Sequence, residues 1–104
     1  MRVEILHNAD CANWKEAGVR LRAVLDEAGM PDVTIDFHLL TTPAEAASVP
    51  FAGSPTILFD GADAFPGAAR VTELACRVYR TENGFVGAPS AEQLSEAVRK
   101  HLQT

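Results

Sequence analysis

The chain reads as an α/β protein: a βαβ unit, then a pair of strands, then a C-terminal helix, in one domain over residues 1–104. Three observations lead there. Val3-Glu4-Ile5-Leu6-His7 is a short, mostly apolar run of the kind that fills a central strand. A helical stripe follows it, and then an alternating strand. Short turns join the three, which suits two parallel strands linked by a right-handed crossover.

The elements can be justified in order. Residues 2–7 form the first strand and Asn8-Ala9-Asp10 a turn. Asp10 has the side chain of an N-cap, which puts Cys11 at the first helical position. Trp14, Ala17, Leu21, Val24, Leu25 and Ala28 recur at three- and four-residue steps and form one apolar face. Gly29 and Pro31 end the helix. From Val33 to Leu40 the pattern alternates, with Val33, Ile35, Phe37 and Leu39 on one side. Thr42-Pro43-Ala44-Glu45 is a capping box with proline at the first helical position, opening a short helix to about Val49. Phe51 to Pro55 is a loop, Thr56-Ile57-Leu58-Phe59 an apolar third strand, and Asp60-Gly61 its turn. Residues 62–74, rich in Ala, Gly and Pro, carry little pattern beyond a helical turn expected at Val71 to Ala75. Cys76-Arg77-Val78-Tyr79-Arg80 is expected as a fourth strand, followed by the turn Glu82-Asn83-Gly84. Ser90-Ala91-Glu92-Gln93 is a second capping box, and Leu94, Ala97, Val98 and Leu102 form the stripe of the last helix.

Composition narrows the function. A net charge of −5 with nine scattered basic residues argues against sequence-independent nucleic-acid binding, which needs clustered cations. Arg70, Arg77 and Arg80 come closest to a cluster and read as a solvated face. No run approaches the ~20 apolar residues of a membrane span, and Met1-Arg2 leads straight into a strand pattern rather than a secretory signal. A cytoplasmic location is the default expectation, with the two cysteines resting there as thiols. His7, His38 and His101 are scattered and read as structural or exposed, and no metal or other cofactor is expected.

Chemistry concentrates at Cys11. A helix start offers unpaired N–H groups and the positive end of the macrodipole, both of which favour a thiolate. The adjacent Asp10 carboxylate opposes that ionisation. Position 14 is Trp, so there is no C-x-x-C pair, and Cys76 is the other cysteine. Trp14 reads either as an anchor of the helix on the sheet or as a surface for substrate stacking.

Three segments carry a family resemblance: Asn8-Ala9-Asp10-Cys11-Ala12-Asn13-Trp14 after the first strand, Gly53-Ser54-Pro55-Thr56 before the third, and Gly87-Ala88-Pro89-Ser90-Ala91-Glu92-Gln93-Leu94 entering the last helix. In their order and spacing the chain resembles the thioredoxin superfamily, and more specifically small bacterial thioredoxin-like proteins with a C-x-x-W site, some of them described as related to alkylmercury lyase. The resemblance implies a three-layer α/β/α domain, a cis-Pro55 facing Cys11, and Ser54, Pro55 and Thr56, with Trp14, as the residues that meet an extended substrate. It leaves Cys76 open. That residue is either a small apolar side chain at a strand start or, if residues 62–75 fold back over the active-site end, the partner of Cys11.

Three functions compete on this reading. In the first, Cys11 attacks a disulfide of a protein or small molecule, and an external thiol or Cys76 resolves the mixed disulfide. In the second, the fold is a redox-inactive binding module. In the third, Cys11 and Cys76 bind a soft metal or an organomercurial, with Asp10 as proton donor.

Overall fold

The computed structural model describes residues 1–103. Four strands form a mixed sheet in the order β2-β1-β3-β4: β1 (Val3–His7), β2 (Ile35–Leu39), β3 (Thr56–Phe59) and β4 (Ala62–Asp63). β1 lies parallel to β2 in the register Val3↔Ile35 and antiparallel to β3 in the register Val3↔Phe59, and β3 is antiparallel to β4. Helix α1 (Asn13–Glu27) makes the β1–β2 crossover, α2 (Pro43–Ala47) precedes β3, and α3 (Ala91–Leu102) closes the chain. A separate hairpin pairs β5 (Tyr79–Thr81) with β6 (Gly84–Val86).

Strand alternation divides the core into two clusters on opposite faces of the sheet. Val3, Ile5, Ile57 and Phe59 point to the face where Ala17, Leu21 and Leu25 of α1 meet Leu94 and Val98 of α3. Leu6 and Leu58 point to the other, against Ala46 of α2 and Phe51, with Val71 and Leu74 packed on them. The helix ends are built as their residues demand. Thr42 and Ser90 each close a capping box, with Glu45 and Gln93 respectively. At the end of α1, Gly29 takes φ +79°, its N–H bonds Asp26 O and the N–H of Met30 bonds Leu25 O, a Schellman arrangement.

Several expectations are corrected. Asp10 does not cap α1: the chain turns at Ala9-Asp10, Cys11 is drawn inward, and the helix starts at Asn13 behind Ala12, with no side-chain cap. α2 ends at Ala47, short of Val49. Ala28 and Leu102 end their helices exposed, and Val33 precedes β2 rather than joining it. The alternation of β2 is real, but β2 is an edge strand, so Phe37 and Leu39 remain about half exposed. No helical turn forms at Val71–Ala75. The fourth strand of the sheet is β4, not Cys76–Arg80. Ala62–Asp63 doubles back after Asp60-Gly61, while Cys76 makes a single parallel bridge to Ser54 and the hairpin starts only at Tyr79. Arg77 is buried, not part of a solvated basic face. No helix among the described residues is long and apolar enough to cross a membrane.

Candidate functional site

Cys11 and Cys76 are joined by a disulfide, with Cα atoms 5.8 Å apart and 65 residues between them in sequence. The two cysteines differ in exposure. Cys11 is 3% exposed, whereas Cys76 lies on the exposed side of its segment. The expectation of two resting thiols therefore gives way to a closed pair, with Cys76 as its exposed member. Cys11 immediately precedes Ala12 and the first turn of α1. No side chain caps that turn, so its N–H groups and the positive end of the helix favour a thiolate on Cys11 when the bond is opened, while burial and the adjacent Asp10 oppose it.

Ser54 ties the site together. Its Oγ accepts the Asn8 N–H from the end of β1 at 3.1 Å. Its own N–H donates to Ala75 O at 2.8 Å, and its carbonyl accepts the Arg77 N–H at 2.9 Å, so its main chain grips Cys76 from both sides. The Ser54–Pro55 peptide bond is cis. Thr56 braces the loop from within: its hydroxyl donates to Gly53 O at 2.6 Å and accepts the Ala52 N–H at 3.0 Å. Ser54, Pro55 and Thr56 are all buried, and an incoming chain could reach the Ser54 main chain only by displacing residues 75–77.

Sequence reasoning missed the residue that anchors Cys76. Arg77 is buried, pairs with Asp63 of β4 at 2.9 Å, donates to Phe65 O at 2.8 Å and lies 4.6 Å from the centre of the Tyr79 ring. The Tyr79 hydroxyl donates in turn to Pro55 O at 2.5 Å, and burial holds its pKa above the usual phenol value. Gly53, at φ +107°, leaves room for this approach, since a Cβ there would sit 2.8 Å from Arg77 Cβ. The available signal was alternation. In Cys76-Arg77-Val78-Tyr79-Arg80 the odd positions point inward and the even ones outward, and a strand reading that expects apolar residues inside does not place an arginine there.

Trp14 lies beside the site as an anchor. Its ring stacks on His7 at 4.1 Å between centroids and meets the edge of Phe37 at 5.5 Å. His7 is buried, its Nδ1 has no partner among the described residues, and desolvation lowers its pKa below the ordinary histidine value. His38 pairs with Glu4 at 3.1 Å and His101 with Asp60 at 2.7 Å. The described residues contain no group of three or more His, Cys, Asp or Glu arranged to hold a metal ion. Comparisons with protein-family models, curated proteins and solved structures found no significant match, so the geometry carries the functional argument.

Proposed function

We propose that this is a thioredoxin-like thiol–disulfide exchange protein whose working pair is Cys11 and Cys76. The observation that carries the reading is the asymmetric disulfide: one cysteine buried at a helix start, the other exposed on an anchored segment. The thioredoxin-like assignment draws support from the sheet order β2-β1-β3-β4, with a parallel βαβ unit, antiparallel β3 and β4, and a final helix packed beside α1.

The exposure difference assigns roles. In the reduced protein the Cys76 thiolate attacks a substrate disulfide, forms a mixed disulfide and expels one substrate thiolate. Cys11, as thiolate, then attacks Cys76 Sγ, restores the Cys11–Cys76 bond and releases the second substrate thiolate. The substrate disulfide is reduced and the protein dithiol oxidised, two electrons each way. In reverse, an external thiolate attacks Cys76 Sγ and Cys11 leaves into the positive end of α1. The attacking role expected for Cys11 thus passes to Cys76, and resolution needs no cysteine at position 14.

Trapping tests the assignment. With a small aromatic disulfide, Cys11→Ser should accumulate a mixed disulfide on Cys76, while Cys76→Ser should react at least tenfold more slowly through the buried Cys11, a difference set by access to the sulfur. Equal rates, or reaction only at Cys11, would reverse the roles. A second reading, a binding module stapled by an inert disulfide, is favoured by the occupied main chain of Ser54. It predicts a bond that small thiols cannot open in the folded protein.

A further inference from the structure

We propose that β2 is a self-association edge, and that two copies of this chain pair antiparallel through Ile35–Leu39 into one continuous eight-stranded sheet. The proposal is independent of the redox reading. β2 ends the sheet and, among the described residues, has no strand on its outer side. The direction of its main-chain groups is fixed by the bond from Leu40 N–H to His7 O at 2.7 Å. Even-numbered residues of β2 therefore turn their N–H and C=O groups towards β1, and Ile35, Phe37 and Leu39 turn theirs outward.

Those outward groups allow a symmetric antiparallel pair in more than one register. The register that pairs all five residues of β2 sets Phe37 opposite Phe37 of the second copy, Ile35 opposite Leu39 and Asp36 opposite His38. Each pairing is favourable. Ile35 and Leu39 match as apolar neighbours, and the two Phe37 rings meet at the centre. Between Glu4 and Asp36 of the second copy the His38 ring carries both protons, Nε2–H donating to Glu4 and Nδ1–H to Asp36. A shift of one residue would face Asp36 with Phe37 and lose both matches.

The surroundings fit the same occupant. Phe37 is 46% and Leu39 50% exposed, Ile35–Leu39 contains no proline, lysine or bulge, and its one carboxylate, Asp36, stands opposite His38 in this register. Beside the strand runs a groove of about 620 Å³, lined by Trp14, Val19, Val33 and Phe37 among others, which the Phe37 side chain of a second copy would help to close. Arg22 caps the edge where pairing should stop, donating to Val33 O at 2.5 Å and Met30 O at 3.0 Å.

Sedimentation equilibrium on the full chain tests the proposal, at about 0.15 M salt so that exposed charges are screened beyond ~8 Å. A monomer–dimer equilibrium is expected at concentrations up to about 1 mM, with the amide protons of Phe37 and Leu39 protected from exchange as the dimer fills. Asp36→Lys should weaken the dimer about fivefold through its two symmetric pairs, and the charge swap Asp36→Lys with His38→Asp should restore it. Leu39→Lys, at an exposed position, is a second variant that leaves the monomer core intact. A chain that stays monomeric throughout, or a dimer that none of these variants weakens, overturns the proposal.

Discussion

The βαβ half of the molecule and the segment from Ala62 to Val86 are held by different physics. In the first, Val3, Ile5, Ala17, Leu21 and Leu25 are fully or nearly fully buried, and apolar periodicity alone specifies which faces meet. In the second, regular structure amounts to β4 and one short hairpin, and Phe65, Val71 and Leu74 pack on the core only partly buried. Polar point contacts add to them: Arg77 to Asp63 and Phe65, Tyr79 to Pro55, Ser54 to both sides of Cys76. The disulfide sits at the seam, with Cys11 from the regular half and Cys76 from the irregular one. A segment held by specific contacts can be positioned without being rigid throughout, which suits the exposed member of an exchanging pair.

Paired substitutions would sharpen that contrast. Leu21→Ala, in the fully buried core, should cost about 3 kcal/mol of global stability, seen as a lower denaturation midpoint with an unchanged slope. Arg77→Met removes one partner of a largely buried ion pair and should cost about 3 kcal/mol. Its distinguishing signature is local. Amide exchange should accelerate from Ala62 to Val86 more than in β1 and α1, and the equilibrium constant for closing the Cys11–Cys76 bond should fall, because Cys76 loses its anchor. If Arg77→Met and Leu21→Ala loosen the whole chain alike, the division fails.

A smaller effect comes from His7. Its folded pKa lies below the ordinary value of 6.5, so between the two values the unfolded chain binds more protons. Stability should therefore hold above about pH 6.5 and decline as the pH falls through the window beneath it. Glu45, Asp60 and Glu96, whose pKa values are lowered by their hydrogen bonds, begin to contribute losses only below about pH 4.5. Stability curves of the protein and His7→Asn measured between those limits should converge towards the acid end.

The same contrast explains how much was legible from the residues. β1, α1, β2, β3 and both capping boxes follow from periodicity and end signals that act within a few residues. Asp10 misled because an N-cap side chain is only permissive: the turn falls at Ala9-Asp10, Cys11 is buried after it, and the helix starts at Asn13. β4 is two residues long, too short for alternation to register. Cys11, Cys76, Ser54, Pro55 and Thr56 could be named as candidates. Their assembly depends on contacts across more than 40 residues, such as Asn8 with Ser54, which leave no local pattern. Arg77 was hidden because its compensation, Asp63 and the Phe65 carbonyl, lies in the stretch with the weakest signal.

The central claim is that the Cys11–Cys76 bond exchanges within the folded protein rather than merely stapling it. Titration against a reduced and oxidised glutathione buffer, with thiols counted by mass and core amides followed by NMR, tests this most directly. The account predicts a reversible two-electron transition during which the β1, α1 and α3 amides keep their native shifts, even though losing the cross-link lowers global stability by as much as about 4 kcal/mol. A bond that opens only as those amides unfold would contradict it and leave the disulfide a structural staple.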